Sequence, residues 1–306
     1  HYIHEFGNVS NLSPDYGKLL ARGLKPLLDE LGNSAEHQAM RRSIAAVLDL
    51  TARYKQAAQD QGLQVIAQIL QQVPAHGART FREALQSLRI LHYTMWCEGN
   101  YHNTLGRFDQ YMIPYLLEDL ACGRETEESA LELLEAFFLA CNRDSDLYPG
   151  MQQGDNGQSI VLGGMTAEGG DGLNLLSRMC LQACADLCLI DPKINLRVNH
   201  NTPLEIFQLG TELTKLGLGF PQYANDDVVI PGLVRLGYAL EDARNYTVAA
   251  CWEFIIPGVA MDIPNIGAMP LADALMTVVI AFMVFAQIQS AGSAMSSLRL
   301  VGASID

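Results

Sequence analysis

Gln158-Ser-Ile-Val-Leu-Gly-Gly164, the helical pattern from Leu173 to Leu189, and Lys193-Ile-Asn-Leu-Arg-Val-Asn199 together decide the fold. The outer two are short apolar runs closed by Gly or Asn, the signature of buried strands, and the middle one has the length of a helix. A strand, a helix and a second strand in that order predict a crossover unit and an α/β fold with a mainly parallel sheet. The pattern continues with a helix from Pro203 to Leu216 and an extended Gly219-Phe-Pro-Gln-Tyr-Ala224. A helix around Asp227 to Leu236 and a strand from Tyr246 to Ala250, ending at Cys251, follow. In such folds functional groups gather at strand ends, which is where this reading puts Cys251.

Upstream of that region the pattern is helical. Pro14 to Leu31 reads as one helix, with Ser13 as its N-cap and Pro14 in the first helical position. Ala35 to Gln61, Leu63 to Gln72, Thr80 to Cys97, Phe108 to Cys122 and Glu127 to Cys141 each repeat apolar residues at helical spacing. Residues 1–150 are therefore expected to be mainly helical, 151–270 to alternate strand and helix up to the Cys loop, and 271–306 to form a helical tail. With no internal repeat and no clean linker, the expectation is a single domain over residues 1–306.

The 306 residues are 49% hydrophobic, enough for a large core. A formal charge of −14 argues against a phosphate-backbone binder, so nucleic acid is not an expected partner. His1-Tyr-Ile-His-Glu-Phe6 lacks the basic and then apolar regions of a signal peptide, and the chain does not start with Met, which reads as an internal start. The apolar run from Leu275 to Ile288 falls short of the roughly 20 residues a bilayer span needs, so it reads as a buried helix and no membrane association is expected. Seven cysteines, an odd number scattered through apolar segments, fit reduced thiols and a cytoplasmic location.

The chemistry concentrates in Asn245-Tyr-Thr-Val-Ala-Ala-Cys-Trp-Glu-Phe-Ile-Ile-Pro-Gly258. If this stretch is extended, Cys251 and Glu253 share one face, roughly 7 Å apart by Cα, and Trp252 faces away. A carboxylate in an apolar context is costly to bury without a partner or a task, so the pair reads as a reactive thiol beside a base. Pro257-Gly258 and Pro264 place it near a loop tip.

Other blocks carry a resemblance. They are Pro14-Asp-Tyr16 with Leu19-Leu20 and Gly23-Leu24, Pro74 with Ala78-Arg-Thr-Phe-Arg-Glu-Ala-Leu-Gln86, Gly106-Arg-Phe-Asp-Gln-Tyr111, and Val161-Leu-Gly-Gly164. Asn195-Leu-Arg-Val198 with Thr202-Pro203, Asn225-Asp226 with Ile230-Pro231, and Glu241-Asp-Ala-Arg244 precede Cys251-Trp-Glu253. In this order and spacing, over roughly residues 10 to 270, they resemble the glycyl radical enzymes, the family of pyruvate formate-lyase and of diol dehydratases, choline lyase and arylacetate decarboxylases.

The resemblance implies a ten-stranded α/β barrel, present here in part, with a large helical N-terminal layer, the whole being a partial pyruvate formate-lyase-type domain. It implies a Cys251 thiyl radical that abstracts hydrogen from a small-molecule substrate, with Glu253 as acid/base, followed by C–O, C–N or C–C cleavage. Pyruvate formate-lyase has adjacent cysteines where this chain has Ala250 and Cys251, which places the chain nearer the dehydratase, lyase and decarboxylase branch. No cofactor is expected in this chain. The glycyl radical belongs to a C-terminal segment, is installed by a radical-SAM activase, and the full-length protein is expected to be a homodimer. No Arg-Val-x-Gly-Tyr block occurs, so the chain reads as a fragment inactive alone.

Substrate contacts are expected from Tyr101, His102 and Asn103, of which Tyr101 and His102 stand where several dehydratases carry a His-Ser pair before the Arg matched by Arg107. Trp252 and Asp262 complete that set. Cys180, Cys184 and Cys188 recur every fourth residue on one helix face, but that face also buries Met179 and Leu187, so core packing and not a metal is expected. Gly163-Gly164 with Gly169-Gly170 and Gly172 lacks a P-loop lysine or dinucleotide spacing, and reads as a loop. His1, His4, His37, His76, His92 and His200 belong to no motif in the sequence and read as surface or core residues. Three alternatives remain open: formate C-acetyltransferase-like activity, a truncated non-catalytic remnant, and a thiol nucleophile at Cys251 served by a distant His102 or His200.

Overall fold

The computed structural model describes residues 11, 13–97, 103–144 and 158–260. Spatial clustering divides the chain into two compact units, one containing Gly17–Tyr101 and the other Asn11–Tyr16 with His102–Asp262.

The first unit is helical. The stretch read as one helix from Pro14 is two, α1 (Tyr16–Arg22) and α2 (Lys25–Glu30). The break is at Gly23, whose φ of 76° is left-handed and whose Cα faces the His76 backbone so closely that an added Cβ would sit 2.4 Å from the carbonyl carbon. The freed N–H groups of Leu24 and Lys25 donate to the carbonyls of Pro74 and Ala75, so the break docks the pair onto the loop after α4. α3 (Ala35–Asp60) starts at Ser34, whose hydroxyl accepts from the His37 N–H, and α4 (Gln64–Gln72) and α5 (Phe81–Cys97) follow among the described residues.

The second unit holds α6 (Phe108–Ala121) and α7 (Glu127–Asp144), then β1 (Ser159–Gly163), α8 (Leu175–Leu187), β2 (Lys193–Val198), α9 (Leu204–Lys215) and β3 (Gln222–Asn225). β1, β2 and β3 form a parallel sheet in that order, joined by α8 and α9, as the sequence predicts. α8 opens on a reciprocal cap in which Asn174 accepts from the Ser177 N–H and the Ser177 hydroxyl accepts from the Asn174 N–H. It ends at Cys188, whose left-handed φ of 50° takes that exposed thiol out of the helical register. Cys180 and Cys184 are core residues, and burial pushes the Cys184 thiol up to about 12.

After α10 (Asp226–Arg235) and a short α11 (Leu240–Arg244), the chain departs from the expected parallel order. The stretch read as a strand from Tyr246 is β4 (Thr247–Ala249), and it does not join the sheet. It pairs antiparallel with β5 (Glu253–Ile255), which the sequence reading missed, as a separate hairpin. The connection sets that pairing: three residues between Ala249 and Glu253 can only reverse the chain.

The sheet register explains where the hairpin lies. Side chains alternate along a strand, so Ser159, Val161 and Gly163 share a face with their partners Lys193, Asn195 and Arg197, and with Gln222 and Ala224. Ile160, Leu162, Ile194, Leu196 and Val198 occupy the opposite face and are all buried. Val161 and Ala224 share a buried cluster with Tyr246, Val248 and Ile256, which puts the hairpin across the polar-rich face. Arg197 binds the carbonyl of Tyr246 and Lys193 that of Ala250, so the hairpin runs antiparallel to β2. No helix of the described residues is long and apolar enough to cross a membrane.

Candidate functional site

Cys251 occupies the tip of the β4–β5 hairpin and is exposed. The tip follows the end of β4 and lies at the amino end of β2, beside Lys193. The turn opens on Ala250, a buried residue with a left-handed φ of 48°. This turn replaces the extended geometry expected for residues 251–253. Glu253 is the first residue of β5, and its carboxylate folds back so that Oε2 accepts from the N–H of Cys251 at 2.8 Å and of Trp252 at 2.9 Å. Two backbone donors on one oxygen fix the direction of the side chain. The other oxygen, Oε1, has no hydrogen-bond partner among the described residues. Trp252 is half-exposed beside them.

Beneath the tip Lys193 donates to the Ala250 carbonyl at 2.6 Å. Burial draws its ammonium below the usual lysine range, with Cys251, Asp191 and Glu253 pulling in the opposite direction. The lysine escaped the sequence reading, although strand alternation would have placed it on one face with Asn195 and Arg197.

At the other end of the hairpin a buried polar network anchors it. Arg197, with no solvent exposure, binds Asp226 through two parallel hydrogen bonds of 2.8 and 2.9 Å, donates to the carbonyls of Tyr246 and Arg244, and has its Cζ 3.8 Å from the centre of the Tyr246 ring. Asp226 also accepts from the Tyr246 hydroxyl at 2.7 Å and from the Met165 N–H at 2.6 Å. Arg107 joins through the carbonyls of Gly163, Met165 and Arg244. Burial and the neighbouring Arg197 charge draw it down to about 10. Asp109 receives the Gly163 N–H and the Ser177 hydroxyl, yet desolvation still raises its carboxyl above the usual range. Sequence reasoning quoted Arg107, Arg197 and Asp226 only as marks of resemblance. Their shared role is to hold the Gly163–Met165 corner and the base of the hairpin together.

The expected site residues divide as follows. Cys251, Trp252 and Glu253 lie in one turn. Asn103 is fully buried at the start of a segment that lies alongside β1, in which the Leu105 N–H donates to the Ser159 carbonyl and the Gly106 carbonyl accepts from the Val161 N–H. Tyr101, His102 and Asp262 lie outside the described residues, as does the apolar run from Leu275. Asn195 and Gln222, register partners on the hairpin face, each bury a side-chain oxygen without a partner among the described residues.

Comparison with known proteins gives the same direction. The family model described as pyruvate formate lyase-like matches residues 2–282. The chain is 29% identical over 289 residues to the (2S)-3-sulfopropanediol dehydratase of Klebsiella oxytoca, an alignment covering 84% of this chain and 35% of that protein. It is 33% identical over 222 residues to the isethionate sulfite-lyase of Nitratidesulfovibrio vulgaris, covering 68% and 26% respectively. A solved structure described by 1,2-propanediol dehydration in Roseburia inulinivorans superposes with a TM-score of 0.74 at 30% identity, over 83% of this chain and 36% of that one. The chain thus spans roughly a third of the length of the relatives it matches. With most of its residues matched by the family model and its fold shared with these structures, the chain belongs to the pyruvate formate lyase-like family of glycyl radical enzymes.

Proposed function

We propose that this chain carries the reacting pair of a glycyl radical lyase or dehydratase, with Cys251 as the hydrogen-atom relay and Glu253 as the acid/base. The observation that carries the reading is the hairpin tip, where an exposed thiol stands next to a carboxylate that holds the tip by one oxygen and leaves the other open. A glycyl radical, when present, would supply the one-electron chemistry, for which Cys251 would be the hydrogen-atom donor. The residues of this chain place that thiol, hold an anionic base beside it and keep the base aimed. A base for the substrate group next to the reacting carbon needs reach and a free lone pair, which Oε1 has. The three-residue turn is too tight for Cys251 and Glu253 to separate, so one substrate carbon and its neighbouring hydroxyl can engage both.

The proposed substrate is a small hydroxylated molecule, in keeping with the diols and hydroxyalkyl sulfonates in the names of the relatives, and the bond broken is C–O, C–N or C–C. Tyr101, His102, Asn103, Trp252 and Asp262 are proposed as substrate contacts, the strands as part of a ten-stranded barrel, and a radical-SAM activase and a second copy of the full-length chain as partners. The thiol-nucleophile reading is not favoured by His200, which follows the carboxyl end of β2 while the tip lies at its amino end.

The test is turnover by a longer version carrying the radical glycine, activated and offered sulfopropanediol, isethionate, 1,2-propanediol and hydroxyproline. C251A should abolish turnover while the glycyl radical still forms, and E253Q should lower kcat by about 10²-fold or more. Turnover by C251A at the parent rate would overturn the assignment.

A further inference from the structure

We propose that Lys193 is a positioning residue for the Cys251–Glu253 pair, clamping the hairpin tip from the sheet side while Glu253 clamps it from the strand side. The inference rests on the reading of Cys251 and Glu253 as the reacting pair.

A three-residue turn presents backbone groups that the β4–β5 ladder does not use, and here ionisable side chains take them. The Ala250 carbonyl accepts from the Lys193 ammonium at 2.6 Å, and the N–H groups of Cys251 and Trp252 donate to Glu253 at 2.8 and 2.9 Å. Lys193 comes from 57 residues away in sequence, so its place is set by the sheet and not by the turn. Long lysine side chains at strand ends ordinarily carry their charge to water. This one is instead spent on the carbonyl immediately before the thiol residue, at the one tip position with left-handed backbone. Its electrostatic neighbours are Cys251, Asp191 and Glu253, so a cation lies within reach of both members of the pair.

The two clamps differ in what proton transfer does to them. When Glu253 takes a proton it becomes a weaker acceptor, and its hold on the Cys251 and Trp252 N–H groups loosens. Lys193 is not party to that transfer and keeps the Ala250 carbonyl. The thiol therefore has one anchor that does not pass through Glu253.

The test uses this chain with K193M, K193R and K193Q. Amide hydrogen exchange reads the Cys251 and Trp252 N–H groups, and iodoacetamide alkylation at pH 7.5, followed on the Cys251 peptide alone, reads the charge beside the thiol. Cys251 is already exposed, so access does not limit alkylation. In K193M the tip amides should exchange about tenfold faster, the equivalent of one lost hydrogen bond. Alkylation should slow about threefold, because the positive charge that neighbours the sulfur is gone. K193R, which keeps donor and charge, should return both rates to within about twofold of the parent, a recovery that loss of packing alone would not give. Folded K193M with both rates at the parent level would overturn the proposal. Should K193M not fold, K193Q decides: slower alkylation supports the clamp and unchanged alkylation overturns it. Neither readout involves radical chemistry. Turnover by C251A in the longer protein would remove the reacting-pair reading and leave these measurements standing.

Discussion

Arg197 and Asp226 meet as a bidentate pair, Nε to Oδ1 at 2.8 Å and Nη2 to Oδ2 at 2.9 Å, with neither side chain exposed. A buried pair of this kind is costly to break from one side, because the surviving charge has no water to turn to. D226N should therefore destabilise the second unit by about 3–5 kcal/mol. The measurement is the urea midpoint of the chain, with loss of the Tyr246 environment in near-ultraviolet circular dichroism. A midpoint equal to the parent would show that the pair is not the anchor described.

G164A tests the fit of that anchor to β1. Gly164 has a φ of 80°, and an added Cβ would stand 2.4 Å from Arg197 Nε, inside a packed guanidinium that cannot swing away. Left-handed strain and the clash together should cost about 2–4 kcal/mol. A thermal-shift comparison with G62A makes the point, since Gly62 is also left-handed but meets nothing within 4 Å. G164A should fall well below G62A in melting temperature.

A250G acts in the opposite sense. Ala250 holds a left-handed φ of 48°, a conformation glycine adopts without strain. The substitution should raise stability by about 0.5–1 kcal/mol, the strain relieved less the extra entropy of an unfolded glycine. The denaturant midpoint checks this, and a lower midpoint would contradict it.

His200 and Asp227 give a pH-dependent contact. The Asp227 carboxylate accepts from the His200 N–H at 2.7 Å and pairs with its ring nitrogen at 2.9 Å, and His200 holds its carboxyl below the usual aspartate value. A depressed folded value means the contact contributes stability above the ordinary aspartate range and loses it as pH falls through the lowered value. Carboxyl-carbon NMR should show Asp227 titrating below an ordinary aspartate, and returning towards that range in H200A.

The parallel sheet was legible because its strands and crossovers carry different periods, and the boundaries of α3, β1, α8, β2 and α9 fall within a few residues of those read from sequence. The hairpin was not. Ala249-Ala-Cys-Trp-Glu253 contains no Gly, Asn or Pro to announce a reversal, and the left-handed residue is an alanine. Gly23 misled in the reverse way, since a lone glycine in an apolar helical pattern reads as tolerated until the close backbone of His76 is seen. Cys251 and Glu253 were recognised as a pair from their spacing. Lys193 was passed over because only the register between β2 and the hairpin brings it to the tip.

Lys193 and Arg197 stand four residues apart on β2 and grip Ala250 and Tyr246, also four apart, on the strand running back. Four residues of strand measure about 13 Å. β2 is in this sense a gauge: the depth at which the thiol is held is read off the interval between two cations, and not set by the turn that carries it. Inserting one residue between them would shift the grip by about 3.3 Å and turn one cation to the opposite face of the sheet. The interval is thus quantised, and no intermediate depth is open to the thiol through changes in β2.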